Sequence, residues 1–572
     1  MFTNKLDWRY NKFSSLQEVR TTTSSALDAA FDWFTTCKTS TSHARCNQLQ
    51  FSKPGWYPTR LIDIGKQSDA NWNLRVLAQD GISGPNAPYM TLSYRWGQNP
   101  TLLLLGSNID SFRAGRSIRD LPLTFREFFT VARRFSINYV WIDALCIIQD
   151  SEKDWEAEAP TMRYVYANSA CNVAASASCD PEGGLFRTRE PESIKSPYLS
   201  ASLFSDGPNT PRNYYMYDSN HWDHEIQYGP LHARGWVYQE VLLAPRVLFF
   251  GANQVLWECL TRQISEFHSL IDDRHLWGGV KWNLRGLLEA GEDSQKGLMP
   301  PSLLTSWMRL VRKYSGCVFT RPSDKLFAFS GIAKLFQDYT KDVYIAGMWR
   351  SRLPEMMGWH VDAPRPALSS AYRAPSWSWA SIDGPVQLPS LRNVTYVFQV
   401  LDVQFTPGSD PTVDVSDAYV RLKAKTIAFQ TIRSTGVQVI DEFTINGLSI
   451  KEGLSVFYPD FLGESTVMKL ERPVTCLLLV ERYEDDVVDE NREALTERGK
   501  VTSVGCLILD RIGSDFPIRY RRPGWMDVWD SENIGSDFPI RYRRLGWMDV
   551  WDSEKLVSSL LESASITEIT II

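Results

Sequence analysis

The run Tyr139-Val-Trp-Ile-Asp-Ala-Leu-Cys-Ile-Ile-Gln-Asp150 brings an acid, a thiol and an amide to the end of an apolar, β-branched stretch. A buried strand delivers polar groups to a site in this way, because an open α/β sheet binds ligands at the carboxyl ends of its strands. Asp143 and Gln149 are therefore candidates for such an edge. Cys146 could be a nucleophile if a base lay beside it, but between Leu145 and the pair Ile147 and Ile148 it reads as a small buried hydrophobe. Trp236 and Glu240 are four apart, so on a helix they share a face, and a carboxylate beside an aromatic wall can hold a sugar and stabilise a developing cation. The alternative is that Trp236 is core while Glu240 caps the helix or pairs with Arg234 or Arg246. His221, His224 and His232 lie in a loop-rich stretch with no thiolate partner and read as solvated or capping imidazoles rather than ligands. Nine cysteines, widely spread, lack the paired short spacings of a zinc site, so no metal is expected.

The elements that must position these residues alternate. Arg60-Leu-Ile-Asp-Ile64, Leu74-Arg-Val-Leu77 and Tyr89-Met-Thr-Leu-Ser-Tyr94 read as opening strands. Phe125, Phe128, Phe129, Ala132 and Phe135 follow the spacing of a helix with one buried face, which feeds a strand over 139 to 148. After an acidic turn, a helix through Met162, Val165 and Tyr166 leads to a strand at Ala170-Cys-Asn-Val-Ala-Ala175. Strand, helix and strand in succession predict an α/β fold with a mostly parallel sheet and right-handed crossovers. Asp180 to about Gly229 is rich in Pro, Gly, Ser and Asn and marks loops or an insertion.

At 572 residues the chain exceeds the size of a single core, and two or three domains are expected. Residues 1–50 form a Ser/Thr-rich leader with one loosely docked helix around Leu27 to Phe34, and residues 51–275 the α/β domain. A helical region (276–385) and a β-rich C-terminal region (386–572) follow, the latter patterned as short strands of an antiparallel sandwich or barrel. Within the last region, 512–533 recurs as 534–555 with changes only at Pro523/Leu545 and Asn533/Lys555. Identity that close marks a recent duplication or a gene-model error, and the second copy is expected to be poorly integrated. The 21 Trp predict large packed surfaces or ligand platforms.

A net charge of -6 offers no field for a phosphate backbone or an anionic membrane, so neither nucleic acid nor direct membrane insertion is expected. The unpaired spread of cysteines fits a reducing compartment, and no apolar stretch has the length of a signal peptide or a membrane span. Phosphate-binding glycine motifs and the G-x-S-x-G elbow are absent, which argues against ATP-driven, Rossmann-type and α/β-hydrolase chemistry.

Leu92-Ser-Tyr-Arg-Trp-Gly97, the run at 139–150 and Arg234-Gly-Trp-Val-Tyr-Gln-Glu240 occur in that order. With them the chain resembles the fungal HET (heterokaryon incompatibility) domain family over roughly residues 58 to 260. Asp324-Lys-Leu-Phe-Ala-Phe-Ser-Gly331 and Ala374-Pro-Ser-Trp-Ser-Trp-Ala-Ser381 resemble habits of HET proteins beyond the domain. HET domains are in turn similar to TIR domains, flavodoxin-like modules whose enzymatic members cleave NAD at the nicotinamide N-glycosidic bond with one glutamate in a W-x-x-x-E helix. Trp236-Val-Tyr-Gln-Glu240 has that spacing, although Val237 stands where Cys is common and the preceding loop region is longer.

The resemblance implies a flavodoxin/TIR-like fold with Glu240 as the catalytic residue. Ser93, Tyr94, Arg95, Trp96, Asp143 and Trp236 would bind substrate, with Arg95 placed for phosphate and Trp96 for stacking. It further implies no bound cofactor, NAD as substrate and water as acceptor. The expected role is a cytoplasmic non-self recognition protein that triggers cell death. Its expected partners are its own HET domain and a fungal NLR-type or other incompatibility protein. A non-catalytic scaffold acting by homotypic association is the alternative.

Overall fold

The computed structural model describes residues 26–48, 52–80, 88–98, 102–189, 198–201, 212–215, 222–266, 281, 284, 297–361, 372–388, 394–408 and 410–434. It also describes 442–445, 448–451, 455–459, 468–470, 474–483, 501–511, 541–551 and 564–572. The chain divides into two compact units, Met1–Glu289 and Ala290–Ile572.

The first unit is built on a sheet of nine strands. In chain order these are β1 (Arg60–Asp63), β2 (Asn71–Val76), β3 (Tyr89–Ser93), β4 (Arg116–Ser117), β5 (Tyr139–Trp141) and β6 (Cys171–Ala174). A separate antiparallel pair, β7 (Tyr198–Ala201) and β8 (Arg212–Tyr215), precedes the last three, β9 (Arg246–Phe250), β10 (Val255–Cys259) and β11 (Gln263–Ser265). The spatial order is β11-β10-β9-β6-β3-β5-β1-β2-β4. The expected parallel sheet is its centre, where β5, β3, β6 and β9 run parallel, while antiparallel strands extend both flanks. All residues of β3, β6 and β9 are buried, as near-continuous apolar runs in a covered parallel sheet must be.

Helices connect the parallel strands. α1 (Leu27–Thr39) precedes the sheet, α2 (Leu123–Arg134) lies between β3 and β5, and α3 (Asp143–Cys146), α4 (Glu152–Glu158) and α5 (Met162–Ala167) lie between β5 and β6. α6 (Gly235–Leu243) leads into β9. The α2 face read from the aromatic spacing is the buried one, with Phe125, Phe128 and Phe129 almost wholly enclosed.

Two expectations are corrected in this unit. The strand over 139 to 148 stops at Trp141, and the chain turns into α3, where Asp143 in the first turn accepts from the Ala144 amide at 2.7 Å and its charge suits the helix start. Arg60 then holds the Cys146 carbonyl at 2.9 Å, and the outgoing segment is set by Asp154, which accepts from the Ile148 amide at 2.8 Å. The helix at Leu27 to Phe34 is α1, and it is packed rather than loosely docked. Leu27, Ala30, Phe34 and Cys37 form one buried stripe, with Phe34 against Phe135 and Trp257 at ring separations of 5.1 and 6.4 Å.

In the second unit α7 (Pro301–Ser315) and α8 (Asp324–Thr340) enclose an aromatic core. Trp307 touches Phe329, Phe336, Tyr344 and Trp349, all with ring separations between 5.0 and 5.8 Å. Trp377 and Trp379 of the Ser376–Ser381 motif are fully buried, and the Trp379 indole donates to the Gly347 carbonyl at 2.8 Å. The high tryptophan content thus serves packing here. Two short antiparallel pairs occur, β12 (Tyr344–Ile345) with β13 (Met348–Trp349) and β14 (His360–Val361) with β15 (Val386–Gln387).

The rest is an eleven-stranded sheet. It comprises β16 (Val394–Tyr396), β17 (Phe398–Pro407), β18 (Val415–Ser434), β19 (Glu442–Ile445), β20 (Leu448–Lys451) and β21 (Ser455–Pro459). β22 (Met468–Leu470), β23 (Val474–Tyr483), β24 (Val501–Arg511), β25 (Arg541–Trp551) and β26 (Ser565–Ile571) complete it. Pairing closes on itself in the cycle β18-β23-β24-β25-β26-β18, which makes the inner part a small barrel and removes the exposed edges of its five strands.

β25 corrects the expectation that the second duplicated copy is poorly integrated: it lies between β24 and β26 inside the cycle. Leu545, which replaces Pro523 of the first copy, is the unpaired residue of a bulge between Arg544 and Gly546. The first copy, 512–533, lies outside the described residues.

Candidate functional site

Among the parallel strands the order β5-β3-β6-β9 means that the chain leaves β3 toward one side and returns, through β6, on the other. Such a switch point opens a crevice outside the carboxyl ends of the two strands. Ser93 is the last residue of β3, and Asn172 in β6 is in register with Thr91.

A hydrogen-bonded chain runs along this edge. Thr91 Oγ1 donates to Asn172 Oδ1 at 3.0 Å, and Asn172 Nδ2 donates to Ser93 Oγ at 2.9 Å. The Ser93 hydroxyl donates to Glu240 Oε2 at 2.5 Å. Tyr166, from α5, also hydrogen-bonds the Glu240 carboxyl. Glu240 sits on α6 with only 4% of its surface exposed. Burial pushes its carboxyl up to about 7, with the nearby Asp143 charge adding to the rise; the Arg234 charge and the bonds from Ser93 and Tyr166 oppose it.

The second carboxylate is Asp143. Its Oδ2 accepts from the Trp96 indole at 2.8 Å, its Oδ1 from the Ala144 amide at 2.7 Å, and the Tyr94 hydroxyl is a further partner. Burial raises its carboxyl too, against Arg234 and the Trp96 bond. Arg234 donates to the Tyr94 carbonyl, so one guanidinium holds the segment after β3 while its charge acts on both acids. Tyr94 is anchored by an edge-on contact with Phe125 at 4.9 Å.

The predicted residues therefore divide. Ser93 and Glu240 touch; Tyr94 and Trp96 converge on Asp143. Arg95 is half-buried and makes no hydrogen bond or ion pair among the described residues, and Trp236 is half-exposed in the first turn of α6. Gln149 turns back on the chain, donating to the Asp143 and Ile147 carbonyls at 3.1 and 2.9 Å. Cys146 is fully buried and its thiol is pushed up to about 12 by burial, which leaves no thiolate for nucleophilic chemistry. The suggested pairing of Glu240 with Arg246 does not form; Arg246 is turned instead to Cys37, Asn47 and the Ala170 carbonyl. His232 is half-buried rather than fully solvated: it lies against Phe249 at 5.9 Å and beside Ser176 Oγ at 3.3 Å, and desolvation lowers it to about 4. His221 lies outside the described residues.

Asn172, Thr91, Tyr166 and Lys281 were not anticipated. Asn172 carried the clearest signal, an amide inside an otherwise apolar strand. Lys281 is buried and donates to the Val241, Leu242 and Ala244 carbonyls, which closes the C-terminal end of the helix that carries Glu240. Cys37, His43, Cys46 and Cys259, which sequence spacing did not group, are all buried and bring their ligand atoms within 4.8 Å of one another.

The first unit is thus an open α/β sheet protein with paired acids at its switch point. Residues 89–240, from β3 to Glu240, match the family model described as heterokaryon incompatibility protein (HET). Comparison with curated proteins and with solved structures found no match. No helix among the described residues is long and apolar enough to cross a membrane.

Proposed function

We propose that the protein acts in heterokaryon incompatibility as a cytoplasmic non-self recognition factor, and that its HET domain cleaves NAD at the nicotinamide glycosidic bond when activated. The parallel strands in the order second, first, third, fourth along the chain have the flavodoxin-like succession, which supports a TIR-like reading. The observation that carries the chemistry is Glu240, a buried carboxyl held near neutral at the strand-end crevice and aligned by Ser93.

In this reading the ionised Glu240 stabilises the oxocarbenium-like transition state as the C1′–N bond breaks and neutral nicotinamide departs; a solvent water adds to C1′ and releases its proton to solvent. Trp96 stacks on a base or nicotinamide ring, and Arg95, which makes no hydrogen bond or ion pair among the described residues, takes the phosphates. Asp143 fixes Trp96 and contacts ribose, and Trp236 borders the opening. Self-association of the HET domain and an NLR-type or other incompatibility partner would provide activation.

The rival reading is a scaffold that signals by association alone. It is favoured by the closure of the Glu240 network, since a carboxyl 4% exposed and bonded to Ser93 and Tyr166 also serves as a core fastening. The test is NAD loss and nicotinamide release by the full chain at high concentration, beside Glu240→Gln. Turnover that falls by at least about 100-fold in the variant, and that in the wild type rises with pH through about 7, supports the enzyme. No turnover in assembled wild-type protein moves the assignment to the scaffold.

A further inference from the structure

We infer that Cys37, His43, Cys46 and Cys259 form a tetrahedral Cys₃His zinc site that fastens the N-terminal segment to the sheet of the first unit. None of the four residues lies within the matched segment 89–240, and none takes part in the network around Glu240.

The geometry is that of a ligand set. The ring nitrogen His43 Nδ1 is 3.8 Å from Cys46 Sγ and 3.5 Å from Cys259 Sγ. Zinc bonds of about 2.3 Å to sulfur and about 2.0–2.1 Å to nitrogen, arranged tetrahedrally, place ligand atoms about 3.5–3.8 Å apart. All four ligand atoms fall within 4.8 Å of one another, a spread that a small inward movement closes around one ion.

The chain is shaped to present them. Cys37 comes from the last turn of α1, His43 from the short turn Thr41–His43, and Cys46 from the turn Ala44–Asn47. Cys259 ends β10, where the reversal into β11 is closed by the Cys259 amide on the Arg262 carbonyl at 2.9 Å.

The surroundings suit thiolates. The Arg262 amide donates to Cys259 Sγ at 3.3 Å, Arg246 Nε donates to Cys37 Sγ at 3.2 Å, and Thr261 Oγ1 lies 3.3 Å from Cys46 Sγ. Three thiolates and one divalent cation leave a single negative charge, and the Arg246 guanidinium is the counter-charge a buried site requires. Binding releases the three thiol protons to solvent, with no change of oxidation state. A disulfide is the poorer account, because it would join two of the three sulfurs and strand a thiol and an imidazole in the core. Cys37, Cys46 and Cys259 are free thiols.

The test is zinc content of the full chain, purified from zinc-sufficient medium without chelator, with cobalt(II) exchange as a second readout. One zinc per chain and a thiolate-to-cobalt charge-transfer band are expected. Cys259→Ser should weaken binding beyond the roughly 10- to 100-fold that outer-sphere partners command. His43→Cys should keep the metal and alter the cobalt spectrum, while Cys179→Ser, at an exposed cysteine outside the cluster, should change neither. Wild-type protein without zinc and without a cobalt–thiolate band overturns the site, as does full zinc occupancy in Cys259→Ser or a disulfide among the three cysteines by mass.

Discussion

Glu240 carries opposed demands. Its carboxyl is raised to about 7 in the fold against an ordinary value of 4.5, mainly by burial. Between those values the folded state keeps a proton that the unfolded state has released, so this group lowers stability as pH rises through the window. A difference of that size corresponds to at most about 3 kcal/mol. Glu240→Gln keeps the shape and can still accept from Ser93 and Tyr166, but it does not ionise. It is expected to raise the urea midpoint at pH 8 and to leave it nearly unchanged at pH 5. Equal effects at the two pH values would show that charge burial is not the origin. Glu240 was legible as a chemical candidate from its spacing to Trp236. Its partners Ser93 and Tyr166 were not legible as partners, because they reach it from β3 and α5, and sequence spacing carries no information on contacts 147 residues apart.

At the scale of the element, α6 depends on a residue outside it. The last carbonyls of a helix have no partner of their own, and here the Lys281 ammonium supplies donors to three of them in a buried setting. The same lysine's amide donates to Glu258 at 3.1 Å. Lys281→Met removes the donors and leaves the carbonyls dry, so a loss of about 2–4 kcal/mol is expected. Faster amide exchange across 235–243 should accompany it. Unchanged exchange there would mean that the helix end finds other donors. Of the elements themselves, α2 was readable because its apolar residues recur at helical spacing. The run at 139–148 misled because β-branched residues on both sides of Asp143 read as one strand, whereas the chain turns into a short helix over Asp143–Cys146.

At the scale of the whole molecule, the duplication and the barrel bear on each other. β25 comes from the second copy and is paired on both sides within the closed cycle, so the barrel already has its strand without the first. Deletion of residues 512–533 is therefore expected to leave the thermal midpoint of the full chain unchanged. A collapse of that midpoint would show that the first copy also bears structure. Periodicity and composition by themselves determined the α/β character of the first half, the β character of the last third and the HET resemblance, since each is written in neighbouring residues. Tertiary structure alone decided that antiparallel strands flank the parallel centre, that long strands close into a barrel, and that Trp307, Trp349, Trp359, Trp377 and Trp379 face inward. It alone joined Cys259 to His43, 216 residues earlier, and Glu240 to Ser93. The physical reason is the same in each case: local propensity sets an element's type, but which elements become neighbours depends on burying every apolar face at once.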